Sequence, residues 1–120
     1  MGVMPHNHHV AAAIGIYAGR EDNRFWRRVG AGDDGAGRIE AAGGKTIVER
    51  GCAVLGRDII HSVTNPLPRL TAAIHVYWGG DFFADGKSAW DPETLRERPY
   101  DKEKVARLFE ESNAALDRPR

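Results

Sequence analysis

Apolar and polar positions along most of the chain alternate in short runs instead of helical stripes. His9 to Ala18 is small and apolar, with Ala11, Ala12, Ala13, Ile14, Ile16 and Tyr17, and stops at Gly19 before the polar turn Arg20-Glu21-Asp22. The alanines alone suit a helix, but Gly15 and the β-branched and aromatic neighbours favour a strand. Asn23 to Val29 predicts a second strand, with Phe25 apolar and Arg24, Arg27 and Arg28 at a surface. Gly30 to Gly37 reads as a loop. Arg38 to Ala41, Lys45 to Arg50 and Cys52 to Leu55 read as short strands divided by glycines. Ile59 to Thr64 is another, ended by Asn65-Pro66. Leu70 to Trp78 is the longest β-like run, and Gly79-Gly80 breaks it.

Short strands closed by Gly, Pro, Asn or Asp predict a sandwich or barrel. Strands and helices do not alternate before residue 90, which disfavours a doubly wound sheet. The one amphipathic helix comes last. Asp101 is its expected N-cap, and Val105, Leu108, Phe109 and Leu116 share a face that Ser112 completes. A short helical turn is expected at Asp91-Pro92-Glu93, and a frayed tail from Asp117 to Arg120. The expectation is one all-β domain over residues 1–120, with a helical segment at about 101–116.

Composition narrows the function classes. The 120 residues carry 17 Lys+Arg and 17 Asp+Glu, a formal net charge of zero. Such a chain has no overall basic field for nucleic acid or for anionic lipid. No apolar run approaches the roughly 20 residues that span a bilayer. The start, Met-Gly-Val-Met-Pro-His, lacks the basic and apolar regions of a signal peptide. These features point to a soluble, cytoplasmic domain. A single cysteine, Cys52, excludes an internal disulfide. Its neighbours Ala53, Val54 and Leu55 suit a buried, inert thiol. Gly30-Ala31-Gly32-Asp33-Asp34-Gly35 matches GxGxxG, but no helix follows it and its aspartates would repel a pyrophosphate. Arg24, Arg27 and Arg28 interleaved with Phe25 and Trp26 read as a solvated strand face.

The histidines carry the chemistry. In an extended strand residues i and i+2 share a face, so His6 and His8 can aim two imidazoles at one point while His9 points away. Imidazole suits Fe, Zn, Cu or Ni. His61 lies in an apolar run after Ile59-Ile60, where a histidine is costly unless its nitrogens are paired. It is either a core histidine bonded to a backbone carbonyl or a third ligand brought in by an antiparallel strand. His75 and Tyr77 share a face with Ala73, and Ile74, Val76 and Trp78 take the other. The polar face lines a pocket or meets water.

Pro5-His6-Asn7-His8, followed by Gly15-Ile16-Tyr17-Ala18-Gly19, resembles the first cupin motif of the thiol dioxygenases, the cysteine and mercaptopropionate dioxygenases. Glu21-Asp22-Asn23-Arg24-Phe25 continues that likeness. Gly56 to Asn65 resembles the second motif, with its H-x-x-x-N ending. Ile74-His75-Val76-Tyr77 before Gly79-Gly80-Asp81 is similar to the family's H-x-Y strand. The likeness runs from Pro5 to about Asp101 and includes Trp90-Asp91 and Pro99-Tyr100-Asp101.

The resemblance implies a double-stranded β-helix, the cupin jelly-roll barrel. It implies one Fe(II) held by His6, His8 and His61, with O₂ and a small thiol or related molecule as substrates. Zn, Ni, Cu or Mn would also suit three imidazoles. Many cupins add a Glu ligand after the second histidine; here Ala12, Ala13, Ile14 and Gly15 stand there. Tyr77 would hydrogen-bond bound substrate or oxygen, with His75 orienting it. Ala73 replaces the Ser of the family's S-x-H-x-Y, and Ala13 stands where some members have a cysteine that crosslinks to the tyrosine. The chain begins almost at His6, so the expectation is an incomplete barrel without an upstream Arg or Gln substrate anchor. Its open strand edges would favour a homo-oligomer. Ala73 and the missing anchor favour an alternative, a non-enzymatic cupin that binds a metal or small molecule.

Overall fold

The computed structural model describes residues 2–30 and 37–116. Nine strands precede one helix among them: β1 (Gly2–Asn7), β2 (Ala11–Ala18), β3 (Arg20–Val29), β4 (Arg38–Val48), β5 (Cys52–Leu55), β6 (Ile60–Thr64), β7 (Ala72–Trp78), β8 (Ser88–Trp90), β9 (Glu97–Pro99) and α1 (Lys102–Leu116). They form two antiparallel sheets, six strands in the order β4-β3-β6-β1-β8-β9 and three in the order β5-β2-β7. The all-β class with a C-terminal helix is therefore as the hydrophobic pattern predicts. The GxGxxG segment and the expected frayed tail lie outside the described residues, apart from Gly30.

The two sheets face each other across a shared core. Ala12, Ile14 and Ile16 of β2 and Ala53 and Leu55 of β5 pack with Ile47 of β4. A second cluster, Ile39, Ile60 and Trp90, sits at the other end of the larger sheet. That sheet curls until its edges meet. Arg38 at the start of β4 bridges to Arg96 just before β9, and Glu97 N–H donates to Gly37 O at 2.9 Å. Alternation decides the rest. Residues of one parity in β2 are buried and the other parity is partly or fully exposed, as expected for a sheet with one wet face.

Several elements differ from the sequence expectation. The runs at 38–41 and 45–48 are one long strand, β4, and Glu49-Arg50 is a turn. Gly43, at φ 150°, sits where the β3–β4 register shifts between Phe25 and Trp26, so the glycines carry a bulge and not a break. β3 begins at Arg20, not Asn23. Asp91-Pro92-Glu93 is a turn: Leu95 N–H donates to Asp91 O at 2.8 Å, and the Asp91 carboxylate accepts from the N–H of Glu93 and Thr94. One such backbone bond does not propagate into a helix. β8 and β9 are too short to show a period. Cys52 is exposed, not buried, because its parity in β5 is the outward one. Ile74, Val76 and Trp78 of β7 are also outward, at 62%, 54% and 47% exposure.

The helix starts as predicted. Lys104 N–H donates to Asp101 Oδ1 at 3.0 Å, an N-cap bond; Val105, Leu108 and Ser112 are half-buried as expected, whereas Phe109 of the expected face is exposed. No helix among the described residues is long and apolar enough to cross a membrane.

Candidate metal centre

β1 and β6 are adjacent and antiparallel, with His6 directly opposite His61. His8 lies just past the end of β1, where His9 takes φ 57° and turns the chain into β2. The bend at His9 keeps His8 over its own strand, while His9 itself is exposed. The three rings meet: centroids are 4.9 Å apart for His6 and His8, 4.7 Å for His6 and His61, and 5.1 Å for His8 and His61. One ligand nitrogen from each lies within 4.8 Å of the others.

Each ring is aimed by its other nitrogen or its packing. His6 Nδ1–H donates to Met4 O at 2.8 Å, leaving Nε2 for the cluster. His61 Nδ1–H donates to Asn23 Oδ1 at 2.8 Å. Asn23 in turn donates through Nδ2 to Glu21 Oε1 at 2.9 Å. This chain of outer partners fixes ring orientation as metal-ligating histidines require. His6 Nε2 and His8 Nε2 are 3.0 Å apart, a spacing that two ligands of one ion at about 2.0–2.1 Å can adopt. His61 Nε2 is buried with no hydrogen-bond partner.

Electrostatics keep these rings neutral. Burial pushes His61 down to about 2, helped by the neighbouring His6 and His8. Burial also lowers His8 to about 3, with His6 and Lys87 adding repulsion. His6 falls below its ordinary range from burial, against the opposing bond to Met4. A neutral imidazole with an uncommitted lone pair is the ligand form. The residues thus fit a divalent ion: three nitrogens, two of them pinned from behind, and one orphaned atom that a cation would satisfy.

Beside the cluster is a cavity of about 540 Å³ lined by the three histidines, Tyr77, Phe82 and Lys87 and capped by α1. Tyr77 is half-buried and stands edge-on to His8, with centroids 5.4 Å apart. Its hydroxyl is 3.1 Å from His75 Nδ1, and it donates to that nitrogen when the His75 proton is on Nε2. Burial raises the Tyr77 phenol, with Tyr100 and Glu21 adding to it, so it stays protonated as a donor. His75 is exposed and lines the cavity rim. All five residues singled out in the sequence therefore border one space.

Others were not singled out. Asn23 and Glu21 are buried polar residues on the inward parity of β3; they lie in the unbroken polar run Arg20-Glu21-Asp22-Asn23-Arg24, whose lack of alternation hides which positions face inward. Phe82 stacks on Tyr77 with centroids 4.0 Å apart, and the Lys87 ammonium lies 4.2 Å above the Phe82 ring. Both come from the loop after β7, where no period guides prediction. Lys87 takes part in none of the ion pairs among the described residues. No model of a known protein family matches the sequence, and no curated protein matches it.

Proposed function

We propose that the protein is a metal-dependent cupin that acts as a non-haem Fe(II) dioxygenase on a small thiol. The observation that carries this reading is the convergence of three imidazoles, with His61 Nε2 buried and bare. The two facing antiparallel sheets suit a double-stranded β-helix, and His6, His8 and His61 occupy the positions that the thiol dioxygenase resemblance assigns to the ligands. His6, His8 and His61 would hold an Fe(II) ion, which would supply the redox chemistry that joins O₂ to a thiol. The overall change is R–SH + O₂ → R–SO₂H, with both oxygen atoms passing to sulfur.

The chain's own residues do the positioning. Tyr77 offers a protonated hydroxyl at the cavity wall, held by His75. Phe82 stacks on the Tyr77 ring and α1 lines the cavity beside it. Lys87 presents a positive charge at the cavity for an acidic group on the substrate.

A second reading, a cupin that binds metal without turnover, is favoured by Ala73. It has no hydroxyl to hold His75, which is exposed and bonded to Tyr77. Oxygen uptake by the Fe(II)-loaded protein over a panel of small thiols separates the two. We expect uptake with sulfinate formed. His61→Ala removes most bound metal and His9→Ala does not. Tyr77→Phe retains metal and loses about 10²–10³ in turnover, the usual cost of one preorganised donor. Bound iron without uptake assigns the second reading, and equal metal in wild type and His61→Ala overturns the ligand set.

A further inference from the structure

The outer face of the three-stranded sheet is apolar across all three strands. In register, Val54 of β5, Ala13 of β2 and Val76 of β7 form one row, and Cys52, Gly15 and Ile74 form the next. Val54 is 70% exposed, Ile74 62% and Val76 54%. No outward position on these strands is charged. The larger sheet, in contrast, carries exposed ion pairs, Arg20–Asp22 and Arg27–Glu40 among them. Water-facing sheets are ordinarily polar, and a contiguous apolar patch of several hundred Å² marks an interaction site.

The face has a shape as well as a chemistry. The first row reads large, small, large and the second places Gly15 between Ile74 and the smaller Cys52, so Ala13 and Gly15 floor a channel along β2 flanked by β5 and β7 and ended by the exposed Tyr17 on the same parity. Neighbouring strands are about 4.8 Å apart, which sets the ridges roughly 10 Å apart, and sheets stack face to face at about the same distance. Two such surfaces are self-complementary: one copy's ridge enters the other's channel about a two-fold axis. Val54, Ile74, Val76, Trp78 and Tyr17 are each about half exposed or more, and covering them all with a second copy would bury on the order of 1,000 Å², the lower bound for a specific interface.

We propose that this face is a homodimer interface, in which the β5-β2-β7 sheets of two copies pack together. The proposal does not depend on the metal reading. An uncharged, self-complementary surface of this area fits a second copy better than a charged partner, which would leave its own ions unpaired.

Cys52 sits on the face and reports its burial. The unmodified chain at about 50 µM, within reach for an interface of this size, is expected to sediment as a dimer. Its Cys52 should then react with Ellman's reagent at least tenfold more slowly than in a dilute sample. Val76→Lys on one ridge and Val54→Lys on the other should each give a monomer with fast Cys52 labelling and unchanged zinc binding. Slow labelling in the wild-type dimer supports the face even if one variant fails to fold. A wild-type monomer with freely reactive Cys52 overturns the proposal, as do folded variants that remain dimeric. A monomer whose tryptophan emission shifts only on phosphatidylcholine vesicles also overturns it and gives the face to a lipid surface.

Discussion

A buried histidine whose second nitrogen meets nothing is costly to keep, since an unsatisfied polar atom loses its hydration without replacement. His61 carries that cost near the start of β6, and its Nδ1 is held by Asn23. The cost has a pH signature in metal-free protein. His8 and His61 are held near 3 and 2 when folded, against about 6.5 in an unfolded chain. Below 6.5 the unfolded chain therefore binds more protons than the folded one. Stability is fully present above about pH 7 and falls as the pH drops through 6.5 toward 3. The slope is at most about 1.4 kcal/mol per pH unit for each such imidazole, and less for the half-buried His8. Urea melts at about pH 8, 7, 6 and 5 should show a midpoint nearly level between 8 and 7 that falls from about 7 downward. A midpoint that rises on acidification would contradict the buried, neutral cluster.

Among the elements, β2 and β7 depend on one tight junction. Gly19 joins β2 to β3 at φ 84°. A Cβ there would lie 2.6 Å from Thr71 Oγ1, 2.9 Å from Thr71 Cα and 3.0 Å from Leu70 O. Thr71 is itself engaged: its Oγ1–H donates to Arg20 O at 2.7 Å and accepts from Arg20 N–H at 3.1 Å. This clasp holds the start of β7 in register with β2, and so sets the height of His75 and Tyr77 at the cavity. Gly19→Ala combines a left-handed backbone with a backbone clash, and should cost about 2 kcal/mol or more, a Tm loss on the order of 10 °C. Gly30→Ala, where a Cβ meets nothing within 4 Å, is the control and should change Tm little. Equal melting temperatures for the two variants would remove the clasp from the account.

For the whole molecule, the triad joins β1 and β6, the two central strands of the larger sheet. His6 and His8 flank the end of β1 and His61 comes from β6, so an ion bound only by the folded arrangement stabilises the fold by mass action. At about 1,000 times its dissociation constant that is about 4 kcal/mol, a Tm increase on the order of 15–25 °C. Scanning calorimetry with zinc or Fe(II) should show this shift, reversal by chelator, and no shift in His61→Ala. A shift of the same size in His61→Ala would place the ion elsewhere.

Local pattern determined a good deal by itself. Alternation is a property of neighbouring residues, so strands, their two faces and the shared face of His75, Tyr77 and Ala73 were legible, as was the Asp101 cap. The pairing of His6 with His8 was legible for the same reason, and the likeness of three motifs brought in His61. What alternation cannot supply is which face becomes interior, because that depends on distant partners. The polar parity of β7 lines the cavity and the apolar parity, Ile74, Val76 and Trp78, faces outward. Register with β2 decides it: Tyr77, His75 and Ala73 stand opposite Ala12, Ile14 and Ile16, and those are buried with Ala53 and Leu55. The larger buried set on β2 and β5 fixes the sheet's inner side, and β7 follows. The same long-range pairing exposes Cys52, places Asn23 behind His61, and brings Phe82 and Lys87 from an unpatterned loop to the cavity. Those contacts join residues far apart in sequence, and only the folded chain brings them together.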